Sequence, residues 1–445
     1  MIKPSNQRGC IMDILNGTKA CTCGKCHRGL LDEYVIEKGA VNRVADFAKK
    51  YHATKVFLLA DENTFAAAGK QVTANLQQYE IPFSQFVFPV SPKPDENAVG
   101  SAVMHYDRTC DLIIGIGSGV INDLSKILAN VSNNPYIVVA TAPSMDGYAS
   151  ATSSMEMDGL KVSLSSKCAN VVIGDIDILK TAPQRMLISG LGDMLAKYVS
   201  ICEWRISHLI TGEYYCEKIA SVIRNAVQKC VDNAQGLLQG DDAAIAAVFE
   251  GLILGGVAMN YAGLSRPASG VEHYFSHVWD MRALEFGANA DLHGIQCAIG
   301  TRYAVRIYEQ LQNITPSREK ALAYVKNFDL ENHFSQLRSF LGTGAEAMIA
   351  AEAKDGKYDP SKHAQRLEII LRHWGEILQI MDEELIAPAE LENLLDLLGA
   401  PKTAVEIGIA EAIVPMTFRA TKDIRDKYVL SRLCWDLGIL DDIIL

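Results

Sequence analysis

From residue 30 to about residue 185, short apolar runs alternate with segments of helical spacing. The apolar runs are EYVIEKG, KVFLLAD, SQFVFPV, LIIGIGS and YIVVATAP, and VNRVADFAKKY is a helical segment between the first two. Such alternation predicts a parallel α/β sheet of the Rossmann type. KVSLSSK and ANVVIGDIDIL continue extended structure after the last run, and we interpret them as a hairpin over the ligand site.

After about residue 186 nearly every segment has helical periodicity, and Pro183 marks the boundary. We therefore expect an α/β domain over residues 1–185 and a helical domain over residues 186–445. A chain of 445 residues is long enough to give both domains substantial cores. The longest apolar stretch, AIAAVFEGLILGGVAMNYAGL, contains Glu250 and several glycines, which favours a buried core helix over a membrane span.

The composition of the chain limits the classes of function that it can have. Charged residues make up 21% of the chain and the net charge is −11, so an extended nucleic-acid surface is not expected. The N-terminal MIKPSNQRGC lacks an apolar signal-peptide core, and we expect a cytoplasmic protein. In that compartment the eleven cysteines are expected to be reduced thiols rather than a disulfide framework.

One group of cysteines suggests a metal. Cys21, Cys23, Cys26 and His27 stand together in CTCGKCH, with Cys10 nearby. Thiolate and imidazole groups are the ligands of structural zinc. However, the linkers are too short for all of these residues to bind one ion easily, and the sequence has no second C-x-x-C. We interpret the segment as an arm of reduced thiols, with a structural zinc as the alternative.

A second group has the composition of a catalytic metal site. His273 and His277 in GVEHYFSH and His293 in DLHG fall within 21 residues, and Asp193 lies upstream in the helical run ISGLGDMLAKY. One carboxylate and two imidazoles can hold a divalent ion with a position open for a substrate oxygen. His273 and His277 share one helical face, and a single ion rarely needs both. The other histidine is then available for proton transfer or substrate binding.

The segment DLIIGIGSGVINDLSKIL predicts a strand, a glycine turn and a helix. Gly115, Gly117 and Gly119 form the turn, and backbone N–H groups beside a helix N-terminus suit a pyrophosphate. The pattern is G-x-G-x-G rather than G-x-G-x-x-G, and no acidic residue ends a following strand about twenty residues later. A plain strand-to-helix turn is therefore an equally good interpretation of this segment alone.

Polar residues also follow two other predicted strands. KVFLLAD ends at Asp61, whose carboxylate can accept hydrogen bonds from an adenosine ribose and would repel a 2′-phosphate. The alternative for Asp61 is a helix N-cap or a turn. YIVVATAP runs into SMDGYAS, where Asp146 and Ser150 are either ligand contacts or turn formers. Ligands of α/β sheets bind at the carboxyl ends of strands, which favours the ligand role.

Five motifs together give a specific resemblance: GIGSGVINDLSK, TAPSMDGYAS, GLGDMLAKY, EHYFSH and DLHGIQCAIGT. In this order they resemble the motifs of bacterial sn-glycerol-1-phosphate dehydrogenases of the AraM type. The chain is also similar to the wider superfamily of glycerol dehydrogenase, iron-containing alcohol dehydrogenases and dehydroquinate synthase. Asp193 argues against dehydroquinate synthase, which carries glutamate at that position. The resemblance covers about residues 30 to 310.

The resemblance implies that the α/β domain of residues 1–185 binds the dinucleotide and that the helical domain of residues 186–445 binds the metal and the substrate. It also implies roles for the matching residues. Asp193, His273 and His293 would ligate one divalent metal ion, either zinc, nickel or iron. Asp146, Asp193 and His277 would contact the substrate, and Asp193 and His277 would be catalytic. The cofactor, NAD(H) or NADP(H), would contact Asp61, Gly117, Ser118, Gly119, Val120, Ile121, Thr141, Ser144 and Ser150.

The implied reaction is the reduction of dihydroxyacetone phosphate, a small phosphorylated substrate, to sn-glycerol 1-phosphate by a homodimer in phospholipid and glycerophosphate metabolism. Lys197 and Arg266 lie near the motifs and are candidate phosphate ligands, although either could be an ion-pair partner or a solvated side chain. One alternative is a glycerol-dehydrogenase-like polyol oxidoreductase, which needs no phosphate pocket. A non-enzymatic sensor of metal or nucleotide is the other, and it would not require every part of the constellation.

Overall fold

The computed structural model describes residues 21–158, 160–288 and 290–445, so Cys10 of the cysteine group lies outside the described residues. The chain forms two compact units. The first contains the residues up to Met194 together with Cys216–Ser265, and the second contains Leu195–Tyr215 and Arg266–Leu445. The first unit therefore extends past residue 185 and includes helices from later in the chain. The assignment of cofactor binding and metal binding to two domains stays a prediction.

A six-stranded parallel sheet forms the centre of the first unit, with strand order β1-β8-β5-β4-β2-β3. A separate antiparallel hairpin pairs β6 with β7. The strands are β1 (Glu33–Glu37), β2 (Val56–Asp61), β3 (Phe83–Phe88), β4 (Leu112–Gly117), β5 (Tyr136–Ala140), β6 (Thr152–Met157), β7 (Leu160–Ser165) and β8 (Val171–Asp175).

The predicted fold class, an α/β sheet followed by helical chain, is confirmed. Every residue of β2, β4, β5 and β8 is buried, as expected for strands that helices cover on both faces. Side chains alternate between the faces, so that Leu58, Ile114 and Ile173 lie in one common apolar core. Because both faces of the sheet are covered, the side chains on either face are apolar, and the strands appear as continuous apolar runs in the sequence.

The hairpin prediction is half wrong. KVSLSSK belongs to the hairpin, where it pairs with residues Thr152–Met157. ANVVIGDIDIL instead contains β8, which lies between β1 and β5 in the parallel sheet. The physical difference is burial, because all five residues of β8 are buried whereas β6 and β7 are partly exposed.

The longer helices follow in chain order: α1 (Val44–Lys50), α2 (Lys70–Gln78), α3 (Glu96–His105), α4 (Gly119–Ser132), α5 (Gln184–Leu195), α6 (Lys197–Thr211), α7 (Glu217–Asp232), α8 (Asp242–Ala262), α9 (Val271–Phe286), α10 (His293–Gln312), α11 (Arg318–Lys326), α12 (Leu330–Leu341), α13 (Gly344–Asp355), α14 (Pro360–Arg372), α15 (Trp374–Glu384), α16 (Pro388–Leu397), α17 (Val414–Thr421) and α18 (Leu430–Asp436). Short helical segments are Ala40–Arg43, Glu62–Thr64, Phe65–Gly69, Asp146–Ala149, Ile176–Leu179, Ala234–Leu237, Val405–Ile407 and Glu411–Ile413.

Helix α8 is the apolar stretch seen in the sequence. By length and composition it is the one helix among the described residues that could cross a membrane, yet 72% of its most apolar window is buried. It packs on the sheet, because a Cβ at Gly174 of β8 would lie 2.2 Å from the Phe249 ring. The burial agrees with the predicted core helix.

In the second unit, α9 and α10 pack closely against each other. A Cβ at Gly300 of α10 would lie 2.5 Å from the Glu272 carbonyl oxygen of α9, so a glycine is needed at this crossing. A separate apolar cluster, which includes Val278, Leu337 and Met348, joins α9 to α12 and α13. The N-terminal ends of α9 and α10 carry His273 and His293.

Candidate active site

The carboxyl ends of β2 and β4 flank the point at which the strand order reverses. These strands are neighbours in the sheet, but the chain continues from β2 outward to β3 and from β4 in the opposite direction to β5. Ligands of open α/β sheets bind in the crevice at such a topological switch point. Asp61 ends β2 and Gly117 ends β4, so two of the predicted cofactor residues lie at this crevice.

The glycine turn lies directly at the end of β4. A Cβ at Gly117 would lie 2.5 Å from Cβ of Ile121, so only glycine allows α4 to begin this close to the strand. Ser118 caps α4 by accepting a hydrogen bond from the Gly119 N–H at 2.7 Å. Val120 then continues the first helical turn.

Two further predicted cofactor residues join this turn from the end of β5. The Thr141 N–H donates to the Gly117 carbonyl at 3.2 Å. The Ser144 hydroxyl lies 3.2 Å from that of Ser118, and the Ser189 hydroxyl donates to the Ser144 carbonyl at 2.9 Å. The structure therefore brings the predicted cofactor residues after β5 into contact with those at the end of β4.

Asp61 has the capping role that the sequence offered as the alternative. One carboxylate oxygen accepts from the Thr64 N–H at 2.8 Å, and the Thr64 hydroxyl accepts from the Asp61 N–H at 3.0 Å. The other carboxylate oxygen accepts from the Ser91 hydroxyl at 3.4 Å. A ribose contact of Asp61 stays a prediction.

A buried lysine near the turn was missed by the sequence analysis. Lys126 donates from Nζ to the Ser150 hydroxyl and to the Thr152 carbonyl, both at 3.0 Å, and also to the Gly147 carbonyl. The Ser150 hydroxyl is therefore engaged by protein groups. The available signal was spacing, because Lys126 follows Asn122 by four residues and the two polar side chains therefore share one face of α4.

Asp193 is fully buried and lies two residues before the chain enters the second unit. Its Oδ2 accepts a hydrogen bond from the Asp146 backbone N–H at 2.9 Å. The structure therefore joins these two predicted substrate residues within the first unit. The side chain of Asp146 is only partly buried.

In the second unit, His273, His293 and Cys297 form a compact set of potential metal ligands. One ligand atom from each lies within 4.8 Å of the others, and the two imidazole centroids are 5.0 Å apart. Glu272 contacts Nδ1 of His273 at 2.7 Å, a carboxylate contact that is typical of metal-binding histidines. Two imidazoles and a thiol fit a divalent transition metal such as zinc, nickel or iron.

Cys297 was not among the predicted ligands. Its Sγ lies 3.5 Å from Nε2 of His293. Burial raises the pKa of the Cys297 thiol, but His273 and His293 outweigh it and hold that pKa below its usual value. The available signal was spacing, since Cys297 follows His293 by four residues on α10.

His277 lies one helical turn after His273 on α9, as predicted. Its ring centroid is 6.4 Å from that of His293, farther than the 5.0 Å between His273 and His293. Within the described residues it does not belong to the compact ligand set. The role of His277 in substrate binding and catalysis stays a prediction.

The two candidate phosphate ligands are both buried. Arg266 pairs with Glu213 at 2.7 Å and donates to the Tyr428 carbonyl at 2.9 Å, so it is the ion-pair partner that the sequence left open. Lys197 donates to the Ala268 carbonyl at 3.0 Å. Neither side chain is solvated.

Comparisons with known proteins give a family model for part of the chain and a solved structure of similar fold. The family model described as iron-containing alcohol dehydrogenase matches residues 35–183. Glycerol dehydrogenase from Schizosaccharomyces pombe has a similar fold, with a TM-score of 0.59 at 18% identity over 93% of this chain and 89% of the other.

Two curated relatives carry the name glycerol-1-phosphate dehydrogenase (NAD(P)+). The one from Halalkalibacterium halodurans is 25% identical over 92% of this chain and 94% of its own length. The one from Bacillus subtilis is 30% identical over 66% of this chain and 77% of its own length. The resemblance found in the sequence motifs is thereby confirmed, and the chain belongs to the glycerol-1-phosphate dehydrogenase family.

Proposed function

We propose that this protein is a metal-dependent oxidoreductase that reduces dihydroxyacetone phosphate to sn-glycerol 1-phosphate with NAD(P)H. The observation that carries this proposal is membership of a family whose curated relatives bear that activity in their names. Two observations support the proposal: His273, His293 and Cys297 lie close enough together to bind a metal, and the glycine turn at the switch point is suited to a cofactor.

We assign the metal to Asp193, His273 and His293. The buried Asp193 carboxylate and the imidazoles of His273 and His293 suit a divalent ion, and zinc, nickel and iron all accept such ligands. When bound, the ion would supply Lewis acidity to a substrate carbonyl group. Glu272 would keep His273 in the tautomer and orientation that ligation requires.

We assign the cofactor to the crevice between the ends of β2 and β4. The N–H groups at the start of α4 would face the pyrophosphate, and Thr141, Ser144 and Ser150 would complete the site. Asp61 would contact the adenosine ribose through its carboxylate. His277 and Asp146 would orient the substrate, and His277 would carry the proton to or from the substrate oxygen.

The decisive experiment is an assay of the purified protein for NADH and NADPH oxidation with dihydroxyacetone phosphate and, separately, with dihydroxyacetone. The proposal expects turnover of the phosphorylated substrate, and chiral analysis should identify the product as sn-glycerol 1-phosphate. Faster turnover of dihydroxyacetone would indicate a polyol dehydrogenase. Binding of nucleotide without turnover of either substrate would indicate a sensor.

We also propose that the protein is a homodimer and that it is located in the cytoplasm. Sedimentation would test the oligomeric state, and cell fractionation would test the location.

A further inference from the structure

A second group of potential metal ligands lies entirely in the first unit. It consists of Cys21, Cys23, His27 and Cys216, whose ligand atoms all lie within 4.8 Å of one another. Three of these residues come from CTCGKCH, and Cys216 stands 189 residues after His27, immediately before α7. Cys21, His27 and Cys216 are buried and Cys23 is partly exposed. These residues are different from those assigned to the catalytic metal.

The distances among these atoms match the edges of a zinc tetrahedron. Zinc–sulfur bonds of about 2.3 Å and zinc–nitrogen bonds of about 2.0 Å place two sulfurs roughly 3.8 Å apart, and a sulfur and a nitrogen roughly 3.5 Å apart. The sulfurs of Cys21 and Cys216 are 3.7 Å apart. Nε2 of His27 lies 3.4 Å from the Cys23 sulfur and 3.5 Å from the Cys216 sulfur.

The surroundings orient the ligands. Nδ1 of His27 lies 3.0 Å from the Tyr261 carbonyl oxygen, so this nitrogen carries the proton and Nε2 is directed to the sulfurs. A tight turn follows Cys21, since the Gly24 N–H donates to the Cys21 carbonyl at 2.8 Å. Gly24 has a φ of +81°, which glycine adopts without strain. The turn allows Cys21 and Cys23 to approach one centre.

The linkers in CTCGKCH are too short for all of its cysteines and His27 to bind one ion easily, and Cys216 removes this difficulty. Cys26 is exposed and lies outside the ligand group, so the closely spaced segment contributes three ligands rather than four. The fourth ligand comes from a distant part of the chain, where linker length imposes no limit. Closed sets of thiolates with one histidine are typical of structural zinc sites, and soft thiolate ligands disfavour magnesium, calcium and manganese.

We propose that Cys21, Cys23, His27 and Cys216 hold a structural zinc ion. On binding, the three thiols lose their protons to solvent, and the ion gains three sulfur ligands and one nitrogen ligand. Because His27 also contacts the carbonyl of Tyr261 in α8, the ion ties residues 21–27 to the start of α7 and the end of α8. This site is independent of the proposed function, and it would persist in a protein without catalytic activity.

Metal analysis of the full-length protein, purified under reducing conditions, tests this site. We expect one equivalent of zinc that remains in His293→Ala and is lost in Cys216→Ser. Cys26→Ser is the matched control, because Cys26 lies in the same segment but outside the ligand group, and it should keep the zinc. Cobalt substituted into His293→Ala should give the charge-transfer absorption of three thiolate ligands. If Cys216→Ser retains the zinc of the wild-type protein, the site is refuted.

Thiol labelling of the wild-type protein provides a test that does not depend on the folding of a variant. A small alkylating reagent should modify Cys26 at once and should modify Cys21 and Cys23 only after a chelator has removed the zinc. Rapid modification of Cys23 in the untreated, reduced protein would overturn the proposal. So would a metal-free protein in which Cys21 and Cys216 form a disulfide.

Discussion

The Asp61 carboxylate provides both a hydrogen-bond acceptor and a negative charge, and one substitution can separate these two properties. One oxygen caps a helical turn through the Thr64 N–H, a bond that a serine hydroxyl can also accept. The negative charge at the end of β2 belongs to aspartate alone. A serine at this position therefore separates the structural role of the residue from its proposed effect on the cofactor.

Asp61→Ser should move the kcat/KM ratio for NADH over NADPH toward NADPH by roughly tenfold, which corresponds to about 1.4 kcal/mol. The physical reason is the loss of repulsion between the carboxylate and a 2′-phosphate. Steady-state kinetics with both cofactors measure the ratio. Asp95→Ser is the matched control, since Asp95 also caps a helix and should leave the ratio unchanged. A constant ratio in Asp61→Ser would mean that Asp61 only caps.

His277 and His273 should respond differently to the same substitution. His277→Ala should keep its catalytic metal and lower kcat/KM by about a hundredfold, because it removes a proton path or a substrate hydrogen bond. His273→Ala should lose most of that metal. Metal analysis and kinetics on both variants separate the two roles. Loss of the catalytic metal from His277→Ala would identify His277 as a ligand.

At the scale of elements, a buried charged cluster lies directly after α17 in the second unit. Asp423 contacts Nε2 of His333 at 2.8 Å and Nζ of Lys422 at 3.0 Å, and it accepts from the Tyr358 hydroxyl at 2.6 Å. Burial alone would raise the pKa of Asp423, but Lys422 and His333 outweigh it and hold that pKa well below the usual range. The Asp423 carboxylate therefore stays ionised in mildly acidic solution.

Asp423→Asn should lower the free energy of unfolding at pH 7 by roughly 3 kcal/mol, because it leaves Lys422 buried without its carboxylate. A depressed carboxyl pKa stabilises the fold above the unfolded pKa, and this stabilisation is lost as the pH falls through the folded pKa. The difference between variant and wild type should accordingly shrink below pH of about 4. Urea denaturation across this pH range measures it.

The exposed pair of Lys320 and Asp442 supplies a control for that experiment. Asp442→Asn should change the unfolding free energy by less than about 1 kcal/mol, because solvent screens the pair. If Asp423→Asn is equally mild, the buried cluster does not stabilise the unit.

Local sequence patterns are sufficient to predict some of the strands and contacts but not others. Strands β2, β4 and β5 were predictable because a parallel strand covered on both faces is a continuous apolar run. β8 has the same character, but its place between β1 and β5 depends on pairing that no local pattern records. Cys216 was missed for a related reason, since its partners lie far away in the sequence, and the same holds for the contacts of Asp423 with His333 and Tyr358. Cys297 and Lys126, in contrast, had a helical spacing that was visible.

At the scale of the whole molecule, activity should depend on a divalent ion. A chelator should abolish the oxidation of NADH with dihydroxyacetone phosphate, and an added divalent ion should restore it, since the proposed Lewis acid is removed and replaced. His293→Ala should stay inactive after the same addition. Full activity in a protein shown by metal analysis to be free of metal would contradict the mechanism.

The chain passes between the two units three times, after Met194, after Tyr215 and after Ser265. During synthesis on the ribosome, the first unit can therefore be completed only once residues up to Ser265 have emerged. Helix α6 is made early, but it belongs to a unit whose other helices follow residue 266. Its many buried residues must remain uncovered until that later chain is made, and the first unit is also incomplete until Ser265. Nascent chains stalled between residues 216 and 265 should therefore be the ones that chaperones bind most strongly.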